Sequence, residues 1–273
     1  MSELTKRILF AVPAAIIFLY VTWVGSYYFT GIVVAIAIFI QRELSVISES
    51  AGFKPDSYFL YTIGLWVMLS PFLPHPLAIG IAIFLVFIAV QLFKTGDRAL
   101  KELISTAFCS IYAPLGFLTL LMIRDFGSSE TGFVLTLSLL LMVWGNDIFA
   151  YFGGKTFGKN KLAPTVSPNK TWEGFGFGIL GALAGLILVV FFSPQTLPVS
   201  MTAIAPAALL VSIFGPIGDL TESRLKRAAN VKDASNILPG HGGFFDRFDA
   251  LILAAPAFYC YLYLLKTIGY ATF

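Results

Sequence analysis

Nine apolar runs, each parted from the next by a charged or Pro/Gly-rich break, leave this chain of 273 residues few folds to choose from. They lie at about 7–24, 26–41, 58–72, 76–93, 103–123, 132–152, 174–193, 200–220 and 248–268, and most approach the ~20 residues a helix needs to cross the hydrocarbon core of a bilayer. Inside lipid every backbone N–H and C=O must be satisfied within the protein, which admits helices or a closed barrel. Runs this long without alternation read as helices. Pro13, Gly64, Pro114, Pro206 and Pro216 interrupt several runs, as membrane helices tolerate when neighbours re-satisfy the backbone. Charged residues make up 12% of the chain and hydrophobic ones 58%, against roughly 25% charged in soluble domains. The expected fold class is an all-α integral membrane protein, a polytopic helical bundle of about nine transmembrane helices. The first run is read as a retained span, because apolar segments continue to the C-terminus and no small-residue cleavage site precedes a soluble region.

Charge placement orients the bundle. Lys6, Arg7, Arg42, Lys54, Lys94, Arg98, Lys101, Lys155, Lys159, Lys161, Lys170, Arg224, Lys226, Arg227, Lys232 and Arg247 share one side, 16 of the 18 basic residues, against Arg124 and Lys266 on the other. By the positive-inside rule the N-terminus and the large connections are cytoplasmic and the C-terminus is outside. No internal repeat suggests an inverted-repeat transporter. Cys109 and Cys260 fall inside apolar runs and read as small hydrophobes.

From Asp219 to Asp249 the chain carries five acidic and five basic residues between two apolar runs. A carboxylate at membrane depth is costly, so it faces a partner, a metal or a water-filled cavity. Asp147 in WGNDIFAY, Asp219 in GPIGDL, and Asp246 and Asp249 in FFDRFD all stand near span ends. Asp246 and Asp249, three apart, share one helix face, and Asp219 closes the preceding run, so the three are expected to converge. Oxygen-only donors suit a hard cation such as Mg²⁺, and Mg²⁺ suits a triphosphate. The plainer alternative pairs each acid with a nearby base, Asp246 with an arginine of its own loop.

In PGHGGFFDR, Gly240, Gly242 and Gly243 permit positive φ and close backbone approach, so that N–H groups can cradle phosphate oxygens. The pattern is not a Walker A motif, and a simple turn is the alternative. His241, between these glycines, reads equally as a phosphate contact or a capped loop histidine. Arg224, Lys226, Arg227 and Lys232 follow Asp219 closely. In SPNKTWEG, Ser167, Asn169, Lys170 and Thr171 form a compact polar turn able to present a hydroxyl, an amide and an ammonium to one anion. Lys155, Lys159 and Lys161 are scattered through a glycine-rich stretch and read as topology signals or head-group contacts. Glu173 reads as an acid at a helix N-terminus.

Two of these stretches resemble a known family. Ser223, Arg224, Lys226, Arg227, Lys232, Asp233 and LPGHGGFFDRFD from Leu238 to Asp249, with NDIFAYFGGKTFGKNKLAPTVSPNKTWEG from Asn146 to Gly174, resemble the signature of the bacterial phosphatidate cytidylyltransferases, or CDP-diacylglycerol synthases. The likeness covers about 144–250 and rests on spans and composition before that. It implies an enzyme of the inner (cytoplasmic) membrane, its site facing the cytoplasm, that converts CTP and phosphatidic acid to CDP-diacylglycerol and pyrophosphate. Mg²⁺ is the implied cofactor, with a second cation left open. On this reading 1–130 supplies about five N-terminal spans, and 131–273 is the catalytic transmembrane region with cytoplasmic loops 153–173 and 221–247.

The resemblance also implies roles. Asp219 and Asp246 hold the metal with Asp249 as a further ligand; Lys226, Arg227, Lys232 and Lys170, with Arg224 beside them, clamp the phosphates. Ser223 and the Gly240–Gly243 loop supply neutral donors, with His241, Ser167 and Asn169 at the substrate, and Asn146 and Asp147 line a polar cavity. No nucleic-acid partner is implied, and a homodimer is left open. The alternatives are a CTP-dependent polyprenol kinase, which releases CDP instead of pyrophosphate, and a secondary transporter, against which the clustering of acids at one face argues.

Overall fold

The structure, a computed structural model, describes residues 3–94, 99–193, 195–197, 199–238, 240 and 242–270, with side chains from residue 12 onward. Each apolar run coincides with helix. The helices are α1 (Glu3–Val24), α2 (Ser26–Ser50), α3 (Ser57–Leu69), α4 (Pro76–Leu92), α5 (Ala99–Arg124), α6 (Ser129–Phe157), α7 (Trp172–Phe192), the short α8 (Met201–Ile204), α9 (Pro206–Ala228) and α10 (Phe245–Thr267). Among the described residues six stretches are long and apolar enough to cross a membrane: α2, α5, α6, α7, α8 with α9, and α10. The shorter apolar helices are Val12–Val24, Ser57–Phe72 and Pro76–Leu92.

Two features depart from the sequence reading. α2, α6 and α9 run on to Ser50, Phe157 and Ala228, well past the ends of their apolar runs. Charged residues such as Arg42, Glu43, Glu222 and Lys226 end the hydropathy signal, but they are good helix formers and the helix continues through them. The polar stretch after α6 is not simply a loop. It contains an antiparallel hairpin of β1 (Lys161–Ala163) and β2 (Ser167–Thr171), in which Lys161 pairs with Thr171 and Ala163 with Ser167.

Local sequence sets the helix starts. Ser128 Oγ accepts the Thr131 N–H at 3.1 Å to begin α6, and Thr171 Oγ1 accepts the Gly174 N–H at 3.1 Å to begin α7, supplying partners for donors that lack one inside the helix. Asp56 caps α3 through the N–H groups of Tyr58 and Phe59, and also receives Lys94 Nζ at 2.7 Å. Burial acts to raise the Asp56 carboxyl, but these donors outweigh it and hold it below the usual carboxylate range. Lys94 also pairs with Glu102, tying the end of α4 to the starts of α3 and α5. Buried Arg124 donates to the carbonyls of Thr22, Trp23 and Ser129, fastening the end of α1 to the α5–α6 turn.

The α6–α7 pair is held by glycines. A side chain at Gly181 would collide with the Gly145 carbonyl, one at Gly145 with the Gly181 carbonyl, and one at Gly185 with the Leu141 carbonyl. Small residues four apart let membrane helices approach closely where no hydrophobic force drives them together. Because Asn146 and Asp147 follow Gly145 directly, this contact also fixes two polar residues of a cavity wall. Gly181→Val should wedge the helices apart at a cost of about 1–3 kcal/mol. The expected result is a lowered unfolding temperature in detergent and a loss of activity.

Candidate active site

The polar residues converge where the ends of α6, α7, α9 and α10 meet the hairpin. A cavity of about 650 Å³ opens there. α6 contributes Asn146, Asp147, Tyr151 and Lys155; the hairpin Lys161, Asn169 and Lys170; α9 Asp219; and α10 Asp246 and Asp249. The three aspartates expected to converge therefore do line one cavity. A second cavity of about 630 Å³ lies between α1, α2, α6 and α10. Its walls are mostly apolar, among them Ile17, Phe18, Ile36, Phe39, Val143, Trp144 and Phe248, and among the described residues Arg247 is the one basic residue on them. The two cavities meet, for Asp147 and Asp249 line both.

Within the polar cavity the acids are partnered unequally. Asp219 stands at the level where α9 leaves its apolar run, and its Oδ2 receives Lys170 Nζ at 2.5 Å while Ser223 Oγ donates to its Oδ1 at 3.3 Å. Carboxylate oxygens of Asp219, Glu222 and Asp249 lie within 4.8 Å of one another. Glu222 is 2% exposed, and its approach to Lys226 Nζ at 3.0 Å is an ion pair without an aligned hydrogen bond to that buried oxygen. Three carboxylates this close repel one another unless a proton or a cation sits among them, and an all-oxygen set suits a hard cation.

Asp246 is held differently. Its Oδ1 receives Lys226 Nζ at 2.6 Å, and its Oδ2 accepts the N–H groups of Ala234 at 2.9 Å and Gly243 at 2.8 Å. The carboxylate group of three thus contains Glu222 in place of Asp246. Lys226 bridges the two, paired with both Asp246 and Glu222 and almost enclosed.

The remaining expected residues divide. Asn169 and Lys170 line the polar cavity, whereas Ser167 sits in the hairpin ladder away from it. Arg224, Arg227 and Lys232 are exposed and line neither cavity. Gly240 and Gly242 adopt positive φ, as the turn requires, but Gly240, Gly242 and Gly243 are absent from the cavity walls. The Gly243 N–H, offered by sequence to phosphate, is taken by Asp246, and the N–H groups of Phe244 and Phe245 by Glu43. His241 lies outside the described residues. Asn146 is 3% exposed and donates to Asp147 Oδ1 at 3.3 Å, while its own buried Oδ1 has no hydrogen-bond partner among the described residues.

Several residues escaped the sequence reading. Glu222 is three after Asp219, a spacing that shares a helix face; ending the span near 220 hid it. Lys155 and Lys161 look scattered in sequence, but helix and hairpin bring both to the cavity wall. Glu173 does more than face a helix dipole, since it accepts the N–H groups of Lys159 and Asn160 and the Asn160 side-chain amide, bracing the entry to the hairpin.

Known proteins are similar to this chain over nearly its whole length. Residues 5–265 match the cytidylyltransferase family. The chain is 34% identical over 273 residues to a phosphatidate cytidylyltransferase of Bacillus subtilis (strain 168), covering 95% of this chain and 97% of the relative. It is 37% identical over 265 residues to one of Brucella abortus biovar 1 (strain 9-941), covering 96% and 94% respectively. A phosphatidate cytidylyltransferase of Pseudomonas aeruginosa is 47% identical over 124 residues, 45% of each chain. The match runs through the helices of both halves as well as the two polar stretches, and the chain belongs to the cytidylyltransferase family.

Proposed function

We infer that this protein is a phosphatidate cytidylyltransferase, which joins CTP to phosphatidic acid to form CDP-diacylglycerol and release pyrophosphate. The observation that carries the reading is the meeting of a polar and an apolar cavity at Asp147 and Asp249. One reaction that needs both a nucleotide and a membrane lipid needs such a pair. Lys155, Lys161 and Lys170 on the polar wall offer charge to a triphosphate, and the apolar walls suit acyl chains.

The chemistry follows from that placement. A lipid phosphate oxygen forms the new bond to the α-phosphorus of CTP, the bond from that phosphorus to the bridging oxygen of the β-phosphate breaks, and pyrophosphate leaves with the electron pair. A phosphate monoester has its second pKa near 6, so the nucleophile is already largely dianionic at neutral pH and needs no strong base. The protein's task is alignment and charge compensation. Lys170 and the neighbouring lysines hold the triphosphate; the wall between the cavities brings the lipid head group to it. Asp219, Glu222 and Asp249 would hold Mg²⁺, and the buried Glu222 oxygen without an aligned donor fits that role. When bound, the ion neutralises charge on the phosphates as it builds up during transfer.

Nine membrane crossings, a cytoplasmic N-terminus, an external C-terminus and a cavity open to the cytoplasm belong to the same proposal. They are supported by the 16 basic residues on one side and place the nucleotide site where CTP is found. The region 131–273 then carries the catalytic groups, and 1–130 supplies much of the lipid-facing wall through α1 and α2.

The test is direct. Purified protein with labelled CTP, phosphatidate and Mg²⁺ should yield a lipid-soluble cytidine product and equimolar pyrophosphate, and a chelator should abolish both. Release of CDP with a phosphorylated lipid would instead establish a kinase.

A further inference from the structure

We propose that Glu43, far from the signature in sequence, is a positioning residue for the transfer reaction, clamping the start of α10 and through it the Asp246–Lys226 pair. Glu43 lies on the extension of α2 beyond its apolar run and is 2% exposed. Its Oε1 accepts the Ser235 hydroxyl at 2.5 Å and the Phe244 N–H at 3.0 Å, and its Oε2 accepts the Phe245 N–H at 2.7 Å. α10 has no side-chain cap of its own at Phe244. Glu43 therefore supplies, from another helix, the acceptor that the first N–H groups of a helix lack, at the end where a negative charge is favoured.

The glycines of this turn make room for acids. A side chain at Gly243 would strike the Glu43 carboxylate, and one at Gly242 would crowd Asp246 Oδ2 at 2.7 Å. The Gly243 N–H, next to the Phe244 N–H that Glu43 holds, is one of the donors to Asp246. Ser235, held by Glu43, follows Ala234, whose N–H is the other. Both backbone donors to Asp246 thus sit one residue from a Glu43 contact. Asp246 orients Lys226, and Lys226 sits against Glu222 of the carboxylate group.

Glu43 touches none of the residues of the polar cavity that would hold the nucleotide, so its loss should act on turnover rather than on CTP affinity. The proposal rests on the transfer activity inferred above for its kinetic arm only. For Glu43→Gln and Glu43→Ala, kcat should fall about 10- to 100-fold while the KM for CTP moves less than about threefold. Amide hydrogen exchange at Gly243–Phe245 should quicken by about 10-fold or more, with the membrane helices protected as in the wild type. Glu43→Gln, which keeps one carbonyl acceptor, should be milder than Glu43→Ala, and Ser235→Ala milder still with the same pattern. Ser235→Ala decides the matter if the Glu43 variants do not fold. Wild-type exchange at Gly243–Phe245, a KM rising in step with the fall in kcat, or exchange quickened throughout the helices would each overturn the proposal. If the wild type transfers no cytidylyl group, the functional reading fails, while the exchange arm still decides whether Glu43 clamps the turn.

Discussion

Asp219→Asn should lower turnover by about 10²–10³-fold, the scale of losing a group that stabilises transferred charge, without lowering stability. Asp219 lines the polar cavity, shares the carboxylate group with Glu222 and Asp249, and receives Lys170 and Ser223. The substitution keeps the shape and removes one negative charge. In the absence of a divalent cation this relieves repulsion within the group, while the ion pair it gives up is between partly exposed side chains, worth about 0–1 kcal/mol. The unfolding temperature without metal should therefore stay level or rise. Mg²⁺ should stabilise the wild type, because an ion bound only to the folded state adds to its stability, and should stabilise Asp219→Asn less. Full turnover in a folded variant, or an undiminished stabilisation by Mg²⁺, would remove Asp219 from the cation site.

The sequence carried the fold a long way, and the reasons are physical. A helix in lipid must satisfy its own backbone, so the apolar runs could become little else, and all of them are helical. Where the helices end was less legible. Arg42, Glu43, Glu222 and Lys226 lie on helical extensions beyond the apolar runs, and hydropathy reports solubility in lipid, not helicity. The site was legible to the level of residues and less so to their partners. Asp219, Asp246 and Asp249 all reach one cavity, as their spacing and span ends indicate. That Asp246 faces Lys226 and two backbone donors, while Glu222 takes its place beside Asp219 and Asp249, depends on rotation of α9 against α10. Gly218 packed on the Asp249 carbonyl sets that rotation. The contact of Glu43 with Phe244 and Phe245 joins residues about two hundred positions apart, and no local pattern announces it. Gly242 and Gly243 show the same limit: their small size was legible, but not that the carboxylates of Asp246 and Glu43 pack against them.

Asp246→Asn should also abolish most activity, but with the opposite effect on stability, and this contrast separates the two aspartates. Asp246 accepts three hydrogen bonds, from Lys226 Nζ and from the N–H groups of Ala234 and Gly243. An asparagine cannot serve both sides, for whichever way its amide turns, its NH₂ meets either the Lys226 ammonium or the two N–H donors. The Lys226 and Asp246 side chains are only 12% and 8% exposed, so the misfit is desolvated. Breaking a buried pair costs about 3–5 kcal/mol; since Lys226 keeps Glu222, about 2–3 kcal/mol is expected here. Adding Lys226→Met to Asp246→Asn removes the stranded ammonium. The double variant should therefore be less unstable than the sum of the singles by about 1–2 kcal/mol, yet remain inactive because the Glu222 charge has lost its counterweight. Denaturation of the four proteins in one detergent reads the coupling directly. If Asp246→Asn instead matches Asp219→Asn, losing turnover at unchanged stability and losing the Mg²⁺ response, then Asp246 acts at the cation rather than as the anchor of Lys226. A destabilised Asp246→Asn that keeps its Mg²⁺ response supports a division of labour: Asp219 at the proposed cation site, and Asp246 holding the turn and the lysine behind it.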